Sequence, residues 1–145
     1  MPFLLQLLLE VQGLRDQGGA LYTVLAELYS NALEHGVLGL DSSLKRDAEG
    51  FARYYRERSE RLGALEAGYV RFNLQLLPEG RGGRLIVQVQ DSGKGFDLAG
   101  VLAGPTSMDS LCGRGLTLVS KLAAHCEPGE GGNGIHVEFR WPAQA

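Results

Sequence analysis

The chain has 145 residues, 44% of them hydrophobic and 21% charged, with a formal net charge of -3 and two cysteines. That length builds one domain with a substantial core, and a mildly acidic balance speaks against nucleic acid as the main partner. Cys112 and Cys126 lack the spacing of a metal site and read as free thiols of a reducing cytoplasm.

Taken in chain order, the opening run FLLQLLLEV is far shorter than a bilayer span and lacks a basic leader, so no membrane segment is expected. Its leucines face several sides. That pattern predicts a helix that is buried, that forms a homodimer, or that meets an upstream domain of a larger regulator.

Ala20 to Gly36 reads as a helix with Leu21, Val24, Leu25, Leu28 and Ala32 on its apolar face. Within it, ELYSNALEHG places Glu27 and Asn31 four residues apart, so both project from one face, one turn apart. An asparagine oxygen suits a hard cation that keeps most of its waters, and a carboxylate can take a proton from a hydroxyl or water. The pair is a site for a magnesium nucleotide; a solvated helix face carries the same residues.

Asp41 to Gly68 follows as a long insertion. Lys45 to Ala67 is charged and helical, with Phe51, Tyr55 and Leu62 as the stripe that packs it; a partner-binding arm is the alternative. Tyr69 to Leu77 and Arg84 to Gln90 read as strands joined by the turn PEGRGG, hence a hairpin.

Asp91-Ser92-Gly93-Lys94-Gly95 comes next. A carboxylate at a strand end can accept a hydrogen bond from an exocyclic amine such as adenine N6, and glycines let the backbone approach a flat ring. Asp97 to Cys112 holds Gly, Pro, Thr and Ser without periodicity, as a lid over a nucleotide would. Gly113-Arg114-Gly115-Leu116 then opens a helix reaching His125, and backbone N–H groups at a helix start favour a polyphosphate. Each glycine cluster alone also suits an ordinary turn or cap. PGEGGNG is a turn, and Ile135, Val137, Phe139 and Trp141 alternate on a last strand. No internal repeat or linker divides the chain.

The order ExxxNAxxH, DxGxG, GRGLxLV resembles the ATP-binding Bergerat fold of the GHKL ATPases, and within them the anti-sigma-factor serine kinases, over residues 20–141. The resemblance implies an α/β fold, a two-layer sandwich whose mixed sheet carries helices on one face. It implies Glu27 as catalytic base and Asn31 as the magnesium ligand. Asn31, His35, Asp91, Gly93, Gly95, Gly113, Arg114, Gly115 and Leu116 would bind the nucleotide: Asp91 reads adenine, Gly93 and Gly95 approach its ring, and Arg114 contacts phosphate between the glycines that end the lid. The implied activity is a serine/threonine kinase that uses ATP and Mg2+ on an STAS-type anti-anti-sigma protein, with a sigma or anti-sigma factor as a further partner.

Histidine kinase catalytic domains share that fold and are one alternative. They usually carry a basic residue where this chain has Glu34, which would stand beside the phosphates; His35, His125 and His136 fall inside the domain's own elements. Two features depart from the compact kinases. Ile135 stands where the family has a threonine that supports the adenine-reading aspartate, and it cannot hydrogen-bond, leaving Ser92 or Thr117 as substitutes. The second alternative, a non-catalytic module that sequesters a partner, follows from that change. The insertion resembles the one in kinase-like domains at the C-terminus of receiver-phosphatase regulators.

Overall fold

Two runs of alternating residues, Gly82–Asp91 and Gly134–Trp141, form the middle of a sheet. The computed structural model describes residues 2–11, 13–93, 114–129 and 134–142. Strands β1 (Val70–Glu79) and β2 (Gly82–Asp91) pair antiparallel from Val70 opposite Asp91 to Glu79 opposite Gly82. The hairpin loop is thus Gly80-Arg81, tighter than the six residues expected. Gly80 has φ 65° and Arg81 has no positive φ, the pattern of a II′ turn, which follows the twist of its strands.

Strand β4 (Gly134–Trp141) lies on the other side of β2, and β3 (His125–Pro128) pairs with β4, giving the order β1-β2-β4-β3. All three pairings among the described residues are antiparallel, which corrects the expectation of a mixed sheet. The reason is the path through helix α4 (Arg114–Leu122). It returns the chain so that β3 runs parallel to β2, but β4 doubles back between them, so the two parallel strands never become neighbours. Helix α4 also stops short of His125. Ala124 N–H is already donated to the Glu138 carbonyl at 2.9 Å, so the chain there belongs to the sheet ladder.

One face of the sheet is apolar: Leu85, Val87 and Val89 of β2 with Ile135, Val137, Phe139 and Trp141 of β4, all buried. Helix α1 (Pro2–Leu9), α2 (Gly18–Asn31) and α4 pack on that face through Leu8, the predicted stripe of α2, Leu116 and Val119. The other face is polar, with Arg84 donating to Glu79 at 2.6 Å and Arg140 to Glu138 at 2.8 Å. Helices therefore cover one face of an α/β sandwich, as expected. Phe3 and Leu7 of α1 stay exposed, and no helix among the described residues is long and apolar enough to cross a membrane.

The predicted helix over 20–36 is continuous, but its last turn, Ala32–Val37, is π-helical, closed by Leu38 N–H donating to the Leu33 carbonyl at 2.8 Å. The insertion forms a 3₁₀ turn, Ser42–Arg46, then helix α3 (Ala48–Ala64), whose first turn is capped by Asp47 accepting from Gly50 N–H at 2.7 Å. The expected stripe is corrected here. Phe51, Tyr55 and Leu62 are 39%, 44% and 40% exposed, and the buried residue is Tyr54. A polar pairing sets the phase of α3, because Tyr54 can donate its phenol to buried Glu34, which no residue of the apolar stripe does.

Candidate functional site

Helix α2 presents Glu27 and Asn31 one turn apart, both half-buried. Beside it, α4 begins with a residue that has no side chain. A Cβ on Gly115 would run into the Glu27 carboxylate, so the start of α4 lies directly against that oxygen. The close approach is what requires glycine at this position.

The same helix meets the strand-end aspartate through its π-turn. A Cβ on Gly36 would strike the Asp91 carboxyl, and one on Gly93 would strike the Gly36 carbonyl. Gly93 N–H donates to Asp91 Oδ1 at 2.8 Å, fixing the carboxyl within the turn that follows β2. Segments 27–36, 91–93 and 115–116, far apart in the chain, thus touch along α2.

Two polar groups here bear on a ligand. Asn31 Oδ1 is buried and has no hydrogen-bond partner among the described residues. An orphaned amide oxygen costs about 1 to 3 kcal/mol, and a cation would satisfy it. Among the described residues no cluster of three or more His, Cys, Asp or Glu side chains could hold a metal by itself. A cation here would take one side-chain ligand, with phosphate oxygens and water completing the shell, as magnesium does.

Asp91 is 4% exposed, and burial pushes its carboxyl above the ordinary range while the Gly93 N–H draws it back. The folded state therefore holds the proton more tightly than the unfolded chain, so stability is lost as pH rises through the folded value. Asp91→Asn keeps an acceptor for Gly93 and removes the charge. It is expected to melt at a higher temperature than the parent near neutral pH, with the gain shrinking as pH falls toward the ordinary carboxylate value of 3.8. A gain that is the same at every pH would show that burial of the charge is not its cause.

The remaining predicted residues are placed as follows. His35 Nδ1–H donates to the Leu40 carbonyl at 2.8 Å, closing the loop after the π-turn. Leu116 is buried in the main core, so only its backbone can face a ligand. Arg114 opens α4. Gly95, Gly113 and the predicted lid over 97–112 lie outside the described residues. Ser92 Oγ accepts from Tyr69 N–H, and Ser92 N–H donates to the Tyr69 carbonyl, each at 3.0 Å, so this residue closes the end of β1. Ile135 is buried opposite Val89 and fills core where a threonine would hydrogen-bond. Glu34, expected beside the phosphates, is 7% exposed and accepts from Tyr54 Oη at 2.9 Å, with Arg58 Nε at 3.9 Å. Its carboxylate is thus held beside Tyr54 of a second small core.

Sequence reasoning missed Gly36 and Tyr54. The glycine after His35 was a signal for close approach; nothing local marks Tyr54 as the partner of a residue 20 positions earlier. No protein-family model, curated protein or solved structure matches the chain.

Proposed function

We propose that this domain binds magnesium ATP along α2 and transfers the terminal phosphate to a serine or threonine of an STAS-type anti-anti-sigma protein, within a Bergerat-type sandwich acting in the cytoplasm. The observation that carries the reading is the meeting of the three sequence motifs: Gly115 against Glu27, and Gly36 and Gly93 against Asp91.

ATP supplies the phosphoryl group; the chain supplies recognition and proton handling. Asp91 would accept from the adenine amine, with Gly93 leaving room for the ring. Asn31 Oδ1, the unpartnered oxygen, would hold the cation. The backbone N–H groups at the start of α4, with Arg114, would offset phosphate charge. Glu27 would take the proton of the substrate hydroxyl as its oxygen bonds to phosphorus and the bond to ADP breaks. The domain would also bind a sigma or anti-sigma factor directly, which couples phosphorylation to partner switching.

One observation favours a second reading, a sequestering module without catalysis: Ile135 is core, so the usual threonine support of the aspartate is missing. Incubation with γ-labelled ATP and purified STAS proteins separates the readings. Acid-stable phosphoserine or phosphothreonine on the partner is the expected result. A tight complex without transfer would replace it with sequestration, and acid-labile label on histidine would point to a histidine kinase.

A further inference from the structure

Helix α3 is 17 residues long and buries a single one, Tyr54. A helix that gives so little to the core must be explained by what that residue touches. Tyr54 donates to Glu34 Oε1 at 2.9 Å, and Lys45 lies 4.6 Å over its ring. Arg58 Nε stands 3.9 Å from the same Glu34 oxygen. One turn further, Arg61 Nη1 donates to the carbonyls of both Leu38 and Gly39 at 2.9 Å. Apart from the lysine over the ring, these contacts end on residues 34–39, the π-turn and its exit.

The exit of the insertion grips the same region from the other side. A Cβ on Gly68 would lie 3.0 Å from Val37 Cγ1 and 3.3 Å from Ser92 Oγ, so the chain there passes between the π-turn and the turn after Asp91. Gly36, which presses on the Asp91 carboxyl, sits between the gripped residues and has no side chain to hold itself. A π-helical turn is rare and occurs mostly as a single-turn bulge, often at a functional site. Contacts from α3 and from Gly68 hold this one on both sides.

We propose that Tyr54, through Glu34, is a positioning residue for adenine recognition: α3 clamps the π-turn, and the π-turn keeps Gly36 against the Asp91 carboxyl in the orientation that Gly93 fixes. This rests on the nucleotide reading above, but the clamp has a signature that needs no nucleotide. Gly93 N–H is hydrogen-bonded to Asp91 Oδ1, so its exchange with solvent reports how firmly that carboxyl is held.

The test compares the parent, Tyr54→Phe and Glu34→Gln by amide exchange without nucleotide and by ATP titration. Tyr54→Phe keeps the ring and its packing and deletes only the donor. It is expected to speed Gly93 exchange and to weaken ATP by about tenfold each, the size of one lost buried hydrogen bond, while Val87 in the sheet centre exchanges as in the parent. Glu34→Gln keeps an acceptor for Tyr54 and is expected to restore parental behaviour at Gly93. Gly93 exchange that stays parental in Tyr54→Phe, or that rises only in step with Val87, overturns the clamp. A parent that binds no ATP overturns the nucleotide reading instead, and with it the adenine role of Tyr54.

Discussion

Glu27→Gln is expected to slow phosphate transfer to the partner serine by about 100-fold to 10,000-fold, the range a positioned general base contributes. A serine hydroxyl is a poor nucleophile until its proton has somewhere to go, and a carboxamide of the same shape cannot take it. Shape matters here because Gly115 leaves no spare room beside the carboxylate. Glutamine fills the same space, so α2 and α4 keep their contact and ATP affinity should stay nearly constant. Single-turnover transfer at saturating ATP, with calorimetry for the affinity, measures both. Transfer by the glutamine variant at the parental rate would remove Glu27 from the base role, and a large loss of affinity would make it a binding residue.

Asp91→Ala is expected to weaken ATP by about 1 to 3 kcal/mol, roughly 5-fold to 150-fold, because the amine it would accept from is left unpaired in a buried site. Gly36→Ala should fall in the same range by a different route: the added methyl would strike the Asp91 carboxyl, so either that group or the π-turn must move. It should also lower the melting temperature. Gly19 in the first turn of α2 has none of the described residues within 4 Å of an added Cβ, so Gly19→Ala is the control and should leave ATP affinity unchanged. Equal ATP affinity in the Gly36 and Gly19 variants would show that the contact with Asp91 does not matter to binding.

Short-range periodicity carried most of the fold. Ile135, Val137, Phe139 and Trp141 alternate in sequence and all four are buried on one sheet face; the stripe of α2 is buried as a whole. The turn between β1 and β2 gave their hairpin, but alternation could not tell where β4 pairs, and its antiparallel placement between β2 and β3 follows from the chain's path. In α3 the helix was legible but its phase was not. Apolarity favoured Phe51, Tyr55 and Leu62, whereas the hydrogen bond from Tyr54 to Glu34 decides the rotation. The site divides in the same way. The spacing of Glu27 and Asn31 is local and could be read directly. The meeting of Gly36 with Asp91, and of Gly115 with Glu27, depends on packing between segments far apart in the chain.

The central claim is that these segments form one magnesium ATP site, and calorimetric titration of the parent with ATP and GTP, each with and without magnesium, tests it most directly. Tighter binding of ATP than GTP is predicted, because guanine offers a carbonyl where adenine offers the amine that Asp91 accepts. Magnesium should strengthen ATP binding through the unpartnered Asn31 oxygen, and Asn31→Leu should lose that gain. Equal affinity for the two nucleotides, together with no effect of magnesium, would contradict the account.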